Sequence, residues 1–108
     1  MKYLAIYRPE TISSGPPSPE HMAEMGKYVE ESRKNGSLIE TGALAKGSAR
    51  ARLSNAKFTV ATPPDTASGY AILRADSQEE LQTALKKFLS LAGDGECEVH
   101  PIMEFGRQ

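Results

Sequence analysis

Proton transfer is the chemistry that this sequence could most simply perform, and it offers few residues for it. There are two histidines, His21 and His100, the side chains best suited to act as base or acid near neutral pH. His21 falls in the first turn of a helix, where the positive end of the dipole disfavours an imidazolium. A neutral ring there would suit a proton acceptor, although a surface residue beside a loop is the plainer reading. His100 sits in an alternating run with Glu98, Ile102 and Glu104 on its side, a mixture that suits a rim or a surface facing a second subunit. Asp65 follows Pro63-Pro64. It is either a catalytic acid or, more simply, the residue that finishes a turn. Arg8, at the end of the first strand, would suit an anionic ligand. Tyr7 and Tyr70 could place polar tips beside it if the gap between helices and sheet is a pocket.

Other features read more plainly. Lys46, Arg50, Arg52 and Lys57 bias one hairpin towards positive charge, either as a solvated surface or as a site for an acidic partner. Cys97 shares the parity of its strand's apolar side and is expected to be buried and inert. Met22 and Met25 read as core filler. No phosphate loop, nucleophile elbow, dinucleotide fingerprint or zinc-type Cys/His spacing occurs, so neither cofactor nor metal is expected.

The chain has 108 residues and a net charge of −1. One domain is the default at this length, and a charge near zero argues against direct nucleic-acid binding. Apolar runs fall far short of a membrane span. The start, MKYLAIYRPE, alternates like a strand and is too soon interrupted for a signal peptide. With a single cysteine, that suggests the cytosol.

These residues need elements to position them. Lys2–Arg8 reads as a strand, with Tyr3, Ala5 and Tyr7 on one face and Leu4 and Ile6 on the other. The stretch 13–17, SSGPP, reads as a loop. Ser18 caps a helix with Pro19 in its first turn. Its stripe is Met22, Met25 and Val29, with Tyr28 beside it, and Asn35-Gly36 ends it. Leu38–Leu44 is a second strand. Arg50–Leu53 and Lys57–Val60 form a hairpin through Ser54-Asn55-Ala56. Gly69–Ala75 is another strand. Ser77 and Glu80 open a second helix as a capping box, with Leu81, Ala84, Leu85 and Phe88 inward and Gly93 as the stop. The last strand, Glu96–Phe105, contains Pro101 and therefore belongs at an edge or carries a bulge.

With the hairpin as an insertion, the order is βαββαβ, the ferredoxin-like α+β plan. Two helices cover one face of such a sheet, yet the first strand is apolar on both. A second copy is the simplest cover for the other face. The expectation is a homodimer that meets through its sheets.

Four stretches, "MKYLAIYRPE", "PPSPEHMAEMGKYVEESRKNGSLIETGALA", "GYAILRADSQEEL" and "LAGDGECEVHPIMEF", together resemble the YCII-related family, in its DGPF-type branch. The resemblance implies a single YCII-related domain over 1–108 and a dimeric α/β barrel. The branch's Asp-Gly-Pro-Phe motif is absent. Ala61-Thr62-Pro63-Pro64-Asp65-Thr66-Ala67-Ser68 stands in its place, so no role passes from that motif to Asp65. A related branch has a His–Asp pair in a cleft, but neither His21 nor His100 lies in a matching motif.

Two functions follow as expectations. The first is a small-molecule-binding or regulatory accessory homodimer, holding an apolar or anionic ligand; the branch's link to alternative sigma factors makes it transcription-associated. The alternative is a cofactor-independent isomerase or lyase. In that case His21 or His100 is the base, and a tyrosine or Arg8 stabilises developing negative charge.

Overall fold

The computed structural model describes residues 1–10 and 18–103. The stretch read as the SSGPP loop lies outside the described residues, as do Glu104 and Phe105. Eight elements follow in order: β1 (Lys2–Pro9), α1 (Pro19–Lys34), β2 (Leu38–Ala43), β3 (Arg50–Ser54), β4 (Lys57–Ala61), β5 (Gly69–Arg74), α2 (Gln78–Ala92) and β6 (Gly95–Ile102). Four strands form an antiparallel sheet in the order β2-β5-β1-β6, while β3 and β4 pair only with each other. This mixed α+β arrangement is compatible with a ferredoxin-like fold.

Both helices start where their caps permit. The Ser18 hydroxyl accepts the His21 N–H at 3.1 Å, and the Ser77 hydroxyl accepts the Glu80 N–H at 3.1 Å. Each bond satisfies a donor that the first turn would otherwise leave open. Asn35 caps the end of α1, and Gly93 ends α2 at φ +107°.

The strand period of two then sorts the residues. Tyr3, Ala5, Ala71 and Leu73 face the helices and join Leu38, Ala75 and Leu81 in the core, with Val29, Leu85 and Val99 packed against it. Tyr7 lies on the same side, edge-on to Phe88 with ring centres 5.6 Å apart. Cross-strand register places Leu4 beside Ile72 and His100, and Ile6 beside Tyr70 and Glu98, on the opposite face. Among the described residues no helix packs on that face.

Two details of the helices were not legible beforehand. Met22 is 59% exposed, so the apolar stripe of α1 begins at Met25. Ser32, a polar residue, continues that stripe and is buried. Its carbonyl accepts the Ser37 hydroxyl at 3.4 Å.

Both edges of the four-stranded sheet are irregular. The register of β2 shifts between Leu38 and Glu40. At the other edge, β6 carries Pro101 opposite Tyr3, as the proline required.

The hairpin stands apart. Every residue of β3 and β4 is exposed. Asn55 and Ala56 take φ of 51° and 63°, the left-handed pair that a two-residue hairpin turn needs. The radius of gyration is 16.1 Å, against roughly 13 Å for a compact chain of this length.

Candidate functional site

Arg8 stands between two carboxylates. It lies on β1, one residue beyond Tyr7 and therefore on the opposite face. Its Nε donates to Asp65 Oδ1 at 3.2 Å, and its Nη1 donates to Glu98 Oε1 at 2.7 Å. The second oxygen of Glu98 meets His100 Nε2 in a short hydrogen bond. Asp65, Arg8, Glu98 and His100 thus form one continuous chain across the sheet face that the helices leave open.

Each member is placed by a different element. Glu98 and His100 are two apart on β6 and share its outward face. Asp65 arrives from the link between β4 and β5. There its Oδ1 also accepts the Ala67 N–H at 2.9 Å, closing an Asx-type turn. One carboxylate therefore closes the corner and pairs with Arg8.

Electrostatics follow from these contacts. The Ala67 N–H, and then Arg8, hold the Asp65 carboxyl below its ordinary range. His100, and then Arg8, do the same for Glu98. Asp65 and Glu98 in turn hold the Arg8 guanidinium more firmly protonated. The relay is open to solvent, with the His100 side chain 55% exposed and that of Arg8 26%.

The remaining sequence-derived candidates separate. Arg8 points away from the helix–sheet cavity, because neighbouring strand residues point to opposite faces; Tyr7 lines that cavity, to which Tyr70 also contributes. The Tyr7 hydroxyl donates to the Gly93 and Asp94 carbonyls at 3.1 and 3.3 Å, and burial pushes the phenol upward. Tyr70 lies on the open face. Its hydroxyl donates to Glu40 Oε2 at 2.5 Å, and that bond raises its pKa. Its ring passes so close to Gly42 that a Cβ there would sit 2.8 Å from Tyr70 Cε1.

His21 stays at the start of α1, on the helix side of the sheet, away from Arg8's chain. Cys97 is half-buried opposite Tyr7, and burial pushes its thiol upward, which suits an inert side chain.

The helix–sheet gap is not the pocket that the sequence reading required. It holds a cavity of about 40 Å³ between residues such as Tyr28, Leu73, Leu85 and Phe88. That is room for about one water molecule, well short of a small-molecule site of roughly 300 Å³. Among the described residues no group of three or more His, Cys, Asp or Glu side chains gathers as a metal site would require. No helix among them is long and apolar enough to cross a membrane.

Glu98 was legible only as a neighbour of His100. Its pairing with Arg8 joins residues 90 positions apart, a distance at which alternation gives face but not partner. Comparison with protein-family models and with curated proteins finds no match to this chain.

Proposed function

We propose that this chain works as a homodimer of ferredoxin-like βαββαβ units, closed face to face into a dimeric α/β barrel, that binds a small molecule against the open sheet face. This is the function expected of a YCII-related accessory or regulatory protein. The observation that carries it is the Asp65–Arg8–Glu98–His100 chain, set beside Leu4, Ile6 and Ile72 on a face with no helix over it. A polar relay next to half-buried apolar side chains is the composition of a ligand site once a second layer excludes water.

The charge of the relay shapes the ligand. Arg8 is already held by two carboxylates, so it offers no unpaired positive charge to an anion. The two carboxylates and the imidazole favour instead a molecule with an apolar body and hydrogen-bond donors.

Sedimentation velocity at micromolar concentration should give a dimer, and a monomer would overturn the assembly. Fragment screening by ¹H–¹⁵N NMR should then yield hits whose shifts centre on Arg8, Glu98 and His100. Hits that perturb only the helix side would remove the open face as the site.

A second reading has one specific observation in its favour. Glu98 Oε2 meets His100 Nε2; in the neutral tautomer that donates through Nε2, Nδ1 keeps its lone pair. A carboxylate-oriented imidazole is the arrangement of a general base. The chain would then act as a cofactor-independent isomerase or lyase, with His100 rather than His21 as the base. Deuterium uptake from D₂O into a bound carbon acid, abolished in His100→Ala, distinguishes this activity from binding alone.

A further inference from the structure

The β3–β4 hairpin has two unlike faces. Register pairs Ala51 with Val60 and Leu53 with Phe58 on one side; Arg52 with Thr59 and Ser54 with Lys57 share the other. The apolar side is bare: Leu53 is 71% exposed, Phe58 65% and Val60 57%. A lone two-stranded hairpin is at best marginally stable in water, so this one needs a surface to lie on.

Charge identifies that surface. Residues 44–64 contain Lys46, Arg50, Arg52 and Lys57 and no acid, a net +4, which leaves −5 for the rest of a chain whose total is −1. Part of that negative charge gathers at the end of the sheet where the hairpin departs. Asp65 and Glu98 hold Arg8 there, Glu96 pairs with it across the strands, and Glu10 and Asp94 meet through their backbones at the same end. The open sheet face beside it supplies the apolar residues Leu4, Ile6 and Ile72. The hairpin's complement in both charge and hydropathy is therefore present in the same sequence, while the hairpin's own strands lie exposed, off their own sheet.

We infer that the hairpin is a clasp for a second copy of this chain. It lays Leu53, Phe58 and Val60 on the second copy's open sheet face and its basic residues near that copy's acidic end. The inference rests on the dimer proposed above and assigns to it a part that face-to-face packing alone does not require. Each ligand site would then be roofed in part by the other protomer's hairpin.

The chain has no tryptophan, so Phe58→Trp gives a clean probe. Its emission should shift to the blue as concentration rises through the dimerisation range and return to the red on dilution. Leu53→Ser/Phe58→Ser should retain the far-UV spectrum of the fold and weaken the dimer by about a hundredfold or more in sedimentation equilibrium. Added salt should weaken the wild-type dimer as well.

Three results would overturn the clasp. One is solvent-like tryptophan emission throughout a range in which the protein sediments as a dimer. Another is a blue emission independent of concentration, which means that the hairpin folds onto its own protomer. The third is a double variant that dimerises as tightly as wild type. In each case a wild-type dimer leaves the face-to-face assembly standing, whereas a wild-type monomer removes both.

Discussion

Asp65 joins a local task to a distant one. Its carboxylate closes a turn with Ala67 and holds Arg8, 57 residues away. The turn was legible from Pro63-Pro64-Asp65, because that chemistry is confined to adjacent residues. The partner was not, since nothing local to either residue records the other. Strand alternation sends Tyr7 and Arg8 to different faces, so Tyr7 and Tyr70 line the small cavity between helices and sheet without Arg8. The relay also has a pH signature. Asp65 and Glu98 titrate lower in the folded chain than in the unfolded one. The stability they contribute is therefore complete above the unfolded carboxylate range, near about 4. It is lost as the pH falls through the lower folded values. Asp65→Asn/Glu98→Gln should lose stability relative to wild type at pH 6, and the two urea curves should converge towards pH 2. A difference that persists undiminished at pH 2 would mean that packing, not charge, separates them.

At the scale of elements, the approach of β6 to β1 depends on a residue without a side chain. A Cβ on Gly95 would lie 2.5 Å from the Arg8 carbonyl oxygen and 2.9 Å from both Pro9 Cα and the Tyr7 ring. Two of these neighbours are backbone, so the strands must part to admit it. Gly95→Ala should cost about 1–3 kcal/mol in urea unfolding at fixed protein concentration. A change below roughly 0.5 kcal/mol would show that the strand end adapts freely. Alternation starts the last strand at Glu96, whereas β6 opens one residue earlier, with Gly95 paired to Pro9, because a strand boundary next to glycine has no side-chain pattern to mark it. The caps at Ser18 and Ser77 were legible for the opposite reason: their signals are short, polar and local. Met22 misled because a methionine at helical spacing looks inward, although the first turn of α1 overhangs the core.

For the molecule as a whole, the proposed second copy would cover both the open sheet face and the bare hairpin. Alternation in β1 foresaw the first of these. The hairpin was foreseen as an element, but its separation from the sheet was not, since Val60 and Phe58 read equally well as strand residues against a core. If folding and association are linked, the midpoint of thermal unfolding should rise by roughly 3 °C for each tenfold increase in protein concentration. A midpoint independent of concentration would indicate that the protomer stands alone. The two margins of the four-stranded sheet carry a further consequence. Pro101 withholds a donor on one margin, and the register shift in β2 breaks the regular spacing on the other. Neither margin is a template for another strand. The pair proposed above would therefore lack a regular edge for side-by-side growth, so crowding should favour a closed pair over a growing fibril.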